Sequence, residues 1–216
     1  DIMHALLSLL FASITIVPPF LEKFHIIHFT PFLAICSFML CIGALLGSSY
    51  NLYTIIPFLD DILHVISGII FFLIGFEIAH LFLVDDGKKK TFFGYIFIGI
   101  TFSLTCGFLW EVIEFSASTL FGLDMEEDLL VNSLNSYYIS GTHNYPSHID
   151  SITKTIVFYK DGLVLEIPNG YLDIGLFDTV IYMCMCLIGT LVASAYKLFT
   201  FLIKNRNQQI VEESNN

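Results

Sequence analysis

The chain has 216 residues, of which 56% are hydrophobic and only 13% charged. A soluble domain of this size has to cover its surface with charge, and this composition cannot. The net charge of −11, with nine Lys and Arg residues in small separate groups, makes no basic stripe and excludes a nucleic-acid partner.

The apolar residues come in runs of the length a bilayer requires, about 20 per helix. Five spans are expected, at about 2–20, 31–50, 61–84, 91–123 and 172–201. They define an all-α, polytopic membrane helical bundle in one transmembrane domain, 1–204, followed by a cytoplasmic tail, 205–216. The first run closes at Pro18-Pro19 and has no basic region before it, so it does not read as a signal peptide. The second opens at Pro31, where proline is tolerated. The fourth is long for one crossing and must tilt or project. All five cysteines, Cys36, Cys41, Cys106, Cys184 and Cys186, lie inside apolar runs, which suits packing better than a disulfide framework.

Orientation follows from the flanking cations. Lys23 lies between spans one and two, Lys88-Lys89-Lys90 between three and four, and Lys197, Lys204 and Arg206 at or after the end of five. Five spans put all seven on one side, which is the cytoplasmic one. The N-terminus is then outside and the C-terminus inside a cytoplasmic membrane. The opposite side receives a loop, 124–171, with only Lys154 and Lys160. Within it Thr155 to Tyr159 is β-prone, Lys160-Asp161-Gly162 reads as a turn and Leu163 to Ile167 as a return strand. A small extracytoplasmic β-hairpin is expected, packed on the outer mouth of the bundle.

Ionisable groups inside a membrane cost about 2.5–3.5 kcal/mol each on insertion scales, so their positions are informative. Span three opens Asp60-Asp61-Ile62-Leu63-His64, and spacings of three and four put both acids beside the imidazole. Span four carries Trp110-Glu111-Val112-Ile113-Glu114, with the glutamates one turn apart. Span five carries Asp178-Thr179 near its start. The orientation places all of these toward the outer leaflet, on three helices, with no Lys or Arg at that depth. Carboxylates crowded there require a metal, shared protons or water. One imidazole with several carboxylates suits Zn, Mn or Fe, and an all-oxygen subset suits Mg or Ca.

Each residue also has a plainer reading. Asp60, Asp61 and Asp178 suit helix starts. His64 can bond a neighbouring carbonyl, Trp110 can be a packing aromatic, and His143 and His148 in the loop can simply be solvated. Glu77 and His80, about 20 Å along span three from His64, read as an interfacial pair near the inner face. Gly68, Gly75 and Ala79 form a small-residue packing strip.

Three sequence blocks carry a resemblance. They are Leu46-Gly47-Ser48-Ser49-Tyr50-Asn51-Leu52-Tyr53 with Asp60-Asp61-Ile62-Leu63-His64-Val65-Ile66-Ser67-Gly68, then Trp110-Glu111-Val112-Ile113-Glu114-Phe115 with Phe121-Gly122, then Gly170-Tyr171-Leu172-Asp173-Ile174-Gly175-Leu176-Phe177-Asp178-Thr179. Pro18-Pro19-Phe20-Leu21-Glu22-Lys23 also fits. Together they resemble the bacterial membrane-spanning protein family related to the YjdF inner membrane protein, from about Val17 to Ala193. The resemblance implies no assigned activity, and its motifs fall on Asp60, Asp61, His64, Trp110, Glu111, Glu114 and Asp178. The Asp-x-x-x-His pattern is distantly similar to VanZ-like membrane proteins of the cell envelope. Two departures stand out. The acid the family often carries after Asp-Thr is replaced by Tyr182, Met183 and Cys184, and Ser116 and Ser118 stand where a polar residue follows the Trp-Glu block.

Three functions remain open. The first is a metal-dependent enzyme on a lipid or lipid-linked envelope substrate, with Asp60, Asp61, His64, Glu111, Glu114 and Asp178 as metal ligands and Asp178 and Glu114 in catalysis. The second is a non-catalytic scaffold or sensor. The third is a proton- or cation-coupled transporter, which the lack of an internal repeat disfavours.

Overall fold

The computed structural model describes residues 9, 16, 19, 20, 22–24, 30–49, 52–84, 86–122 and 125–214. The expected first span, 2–20, lies outside the described residues apart from Leu9, Ile16, Pro19 and Phe20. The chain divides into two compact units, residues 1–111 with 182–216, and residues 112–181.

The first unit is helical. Helix α1 spans Pro31–Ser49, and a single short turn, α2, spans Leu52–Ile55. Helix α3 spans Leu59–Ile78 and tightens into a 3-10 turn over Ala79–Leu81. Pro57 ends the preceding segment, and Asp60 and Asp61 occupy the first turn of α3, where negative charge meets the positive helix end. Helix α4 runs Lys89–Phe121 and the last helix, here α6, runs Leu176–Ser214; each continues across the division between units.

Three segments are long and apolar enough to cross a membrane, Leu59–Leu81, Lys89–Phe121 and Leu176–Val211, and α1 contributes a shorter apolar helix, Pro31–Gly47. Helix α4, with 33 residues, is about 50 Å long against a hydrocarbon core of about 30 Å. The expected tail, 205–216, is helical through Ser214. No Gly or Pro follows Gly189, so nothing local stops the helix at the end of the apolar run.

Small residues let α3, α4 and α6 approach backbone to backbone. A Cβ placed on Gly68 would lie 2.0 Å from the Cys186 carbonyl oxygen, and one on Gly189 2.0 Å from that of Val65. The hydroxyl of Ser103 on α4 donates to the Gly68 carbonyl (3.1 Å) and accepts from the Thr190 hydroxyl (2.7 Å), whose one proton is shared with the Cys186 carbonyl 2.8 Å away. Ser103 and Thr190 are fully buried. Van der Waals contact and inter-helix hydrogen bonds thus supply what hydrophobic burial cannot between helices in lipid. Below this node Phe72, Phe76, Ala79, Tyr95 and Ala193 form an apolar cluster, while Leu33 of α1 packs on Ile70 of α3. The outward faces carry exposed apolar residues such as Phe38, Phe97, Phe108, Leu191 and Phe199, as lipid contact requires.

The second unit contains the end of α4, the first turn of α6 and three antiparallel two-stranded ladders. Strands β1 (Leu130–Val131) and β6 (Tyr171–Leu172) pair with each other. β2 (Leu134–Ser136) pairs with β3 (Ser147–Ile149), enclosing the short helix α5 (Tyr137–Ser140). β4 (Lys154–Phe158) and β5 (Val164–Pro168) form the expected hairpin within a residue at each strand end. Its turn holds Asp161 at φ 64° and Gly162 at φ 73°. The left-handed pair explains why an Asp-Gly step stands there.

Candidate metal centre

His64 lies on the second turn of α3, buried, and its ring is held from two directions. Nδ1 is 3.1 Å from the carbonyl oxygen of Asp60, one turn earlier. A carbonyl can only accept, so Nδ1 carries the proton. The Asp60 carboxylate stands beside the same nitrogen, 3.4 Å away. The ring also stacks in parallel on Tyr182 of α6, with centroids 4.2 Å apart. The remaining nitrogen, Nε2, faces Glu111 Oε1 at 3.8 Å.

In neutral His64 this leaves the lone pair on Nε2, 3.8 Å from a carboxylate oxygen in a buried space. Their spacing is too long for a hydrogen bond. It fits two ligands of one ion, each about 2.0–2.2 Å from it. Glu114 follows Glu111 by one turn on α4, and it too is buried. One ligand atom each from His64, Glu111 and Glu114 lies within 4.8 Å of the others. A backbone-held imidazole is the arrangement that usually orients a metal-binding histidine. Two buried glutamates a turn apart require a cation, a shared proton or a hydrogen-bonding partner.

The other expected ligands stand differently. Asp60 meets His64 twice, its carbonyl and its carboxylate both standing beside Nδ1. Asp61, half-buried on the first turn of α3, is not in the His64–Glu111–Glu114 group. Asp178 belongs to the second unit. It is buried, and its Oδ2 accepts the Glu127 backbone N–H at 3.1 Å. Nearby Thr179 donates to Glu126 Oε1, and Asp173 accepts from the backbone N–H groups of Leu129 and Phe177. These carboxylates pin residues 126–129 to the start of α6. Trp110, half-buried, precedes Glu111 on α4. In the loop, His143 packs on Tyr137 and His148 pairs with Asn135.

Two contacts have no counterpart in the sequence reading. Tyr182 stacks on the imidazole, at a position notable in the sequence only for lacking an acid. At the other end of α3, Glu77 meets Lys197 of α6 (3.6 Å) as well as His80 (4.0 Å), and the ammonium lies 4.3 Å above the Phe76 ring. The spacing of three between Glu77 and His80 was a visible signal, whereas a lysine 120 residues further along the chain was not.

No curated protein and no solved structure matches this chain. A family model does, over residues 1–202, which takes in α3, α4 and α6 as far as residue 202. It is the family that the Asp-Asp-x-x-His, Trp-Glu-x-x-Glu and Asp-Thr blocks resemble. The chain therefore belongs to the predicted membrane protein family DUF2238.

Proposed function

We propose that this protein is a membrane metalloenzyme in which His64, Glu111 and Glu114 hold a divalent cation that activates water against an ester or phosphoester of a lipid or lipid-linked substrate. The observation that carries this reading is the pairing of a fixed tautomer with a carboxylate: Nδ1 is tied to Asp60, and Nε2 is turned toward Glu111. Three protein ligands leave coordination positions for water and substrate, the pattern of catalytic rather than structural sites. An ion held by His64, Glu111 and Glu114 would supply Lewis acidity, lowering the pKa of a bound water and polarising the substrate oxygen. Water gives its proton to a carboxylate and attacks the phosphorus or carbonyl carbon. The ester bond breaks, and the proton passes to the leaving oxygen. Glu114 and Asp178 are the carboxylates proposed for that proton. One nitrogen and two oxygens suit Zn, Mn or Fe better than Ca.

Five spans with the N-terminus outside, as the lysine distribution favours, put this centre near the outer leaflet of a bacterial cytoplasmic membrane. An amphiphile then reaches it from the membrane. The test is elemental analysis of protein purified without chelator, wild type against Glu111→Gln. The expected result is stoichiometric metal in the wild type and its loss in the variant. A wild type that stays metal-free after incubation with Zn, Mn and Fe overturns the reading.

The same pair supports a second reading, because 3.8 Å is also within ion-pair range for a protonated His64 and Glu111. The cluster would then hold a proton, and the protein would be a proton-coupled carrier. Proteoliposome flux that depends on Glu114, from metal-free protein, would select it.

A further inference from the structure

The β4–β5 hairpin exposes its apolar residues on both faces. Phe158 pairs with Val164 and Val157 with Leu165 across the ladder, and Tyr159 and Leu163 follow at the mouth of the turn. All six are exposed, Phe158 to 77%. Toward the strand ends away from the turn the character changes: Lys154 pairs with Glu166 at 3.3 Å, and the Thr155 hydroxyl donates to the Gly170 carbonyl. A ribbon this small is marginal in water, and soluble surfaces rarely expose so continuous an apolar patch.

We infer that the hairpin is a membrane-interface anchor, lying in the headgroup layer of the bilayer that the chain itself crosses. Three observations select lipid as the occupant. The first is tethering. β5 ends at Pro168 and the membrane-crossing helix α6 begins at Leu176, within the same compact unit. Residues 169–175 reach no more than about 25–29 Å even fully extended, so Pro168 stays within that distance of where α6 begins and Leu163, at the tip, lies at most about 17 Å further along the ribbon. The second is charge. Segment 122–175 is otherwise acidic, and both of its lysines, Lys154 and Lys160, lie on the hairpin. With Asp161 and Glu166 the hairpin is net neutral, whereas the rest of the segment carries acids and no Lys or Arg, so the hairpin is the part that an anionic headgroup repels least. The third is composition. Phe158 and Tyr159 beside Lys160 combine the amphipathic aromatic and the snorkelling cation that mark bilayer interfaces. A layer that is itself amphipathic contacts both faces of an immersed ribbon, whereas a protein groove covers one. This inference does not depend on the metal centre.

The experiment replaces Phe158 by Trp in the full-length protein, reconstituted in liposomes containing anionic lipid, and subtracts the wild-type emission of Trp110. The expected result is a blue-shifted added signal, quenched by lipids brominated near the headgroup and protected from aqueous acrylamide. Quenching by acrylamide with none by brominated lipid would show a water-exposed hairpin and overturn the inference. Protection from both quenchers would show a protein cover, a second copy or another partner, and would overturn it equally. Tyr159→Trp repeats the measurement with a smaller perturbation should Phe158→Trp fail to fold.

Discussion

Replacing Gly68 by alanine tests whether the backbones of α3 and α6 touch as closely as the metal centre requires. The added Cβ would meet the Cys186 carbonyl oxygen at 2.0 Å and its carbon at 2.9 Å. Carbon–oxygen contacts settle near 3.3 Å, so the helices must part by about 1.3 Å. Neither clashing partner is a flexible side chain that can turn away. Overpacking of this kind costs about 1–3 kcal/mol. Parting the helices also strains the hydroxyl node joining Ser103, Thr190 and Gly68, and an inter-helix hydrogen bond in a membrane averages about 0.6 kcal/mol. Together the expected loss is about 2–4 kcal/mol. The consequence reaches the site, because His64 lies one turn before Gly68 and its stacking partner Tyr182 one turn before Cys186. Gly68→Ala should therefore loosen the imidazole and weaken metal binding as well as stability. Reversible unfolding in mixed detergent micelles measures the first and metal titration the second, with the lipid-facing Leu191→Ala as control. Wild-type stability and metal affinity in Gly68→Ala would refute the packing described for α3 and α6.

Further outcomes follow from individual contacts. Asp60→Asn keeps the backbone carbonyl that holds Nδ1, so metal affinity should fall by no more than the roughly 10–100-fold typical of outer-shell changes, while His64→Gln should abolish binding in the same titration. A double-mutant cycle on Ser103→Ala and Thr190→Val should give a coupling of about 0.6 kcal/mol and not above about 1.7, read from unfolding in micelles. Asp86 is held well below the usual carboxylate range by hydrogen bonds from Lys88 and Thr91. Its contribution to the start of α4 is therefore present above the unfolded carboxylate pKa of about 3.9 and is lost as pH falls below it. Hydrogen exchange at residues 89–92 should be faster in Asp86→Asn than in wild type at neutral pH, with the difference closing at acid pH.

The parts of the fold legible in the sequence are those set by local rules. The α1, α3 and α4 runs were bounded to within a few residues because apolar length and a proline or glycine at the ends decide them. The hairpin was legible because β-prone residues and an Asp-Gly turn are local signals. The start of α6 was not. Leu172 reads as the start of the apolar helix, but with Tyr171 it pairs with Leu130–Val131, about forty residues earlier, and no short-range pattern encodes that partner. Ile174 at φ 59° and Gly175 at φ 77° then turn the chain before the helix begins.

The candidate site was legible in its residue types but not in their roles. The i, i+4 spacing brings Asp60 to His64, yet the sequence cannot distinguish a carboxylate ligand from a carbonyl that fixes a tautomer. Had the Asp60 carboxylate shared an ion with His64, Nδ1 would carry no proton and Nε2 would be left toward Glu111. The carbonyl contact instead ties Nδ1 to Asp60 and leaves Nε2 as the nitrogen nearest Glu111, 3.8 Å away. Asp178 shows the same ambiguity. An acid on the first turn of a membrane helix is a ligand or an anchor for the neighbouring loop, and its bond to the Glu127 amide shows that one of its oxygens serves the loop. A buried carboxylate has two oxygens, so that bond leaves the proton-transfer role proposed for Asp178 to be decided by chemistry. Asp178→Asn keeps an acceptor for Glu127 and removes the base.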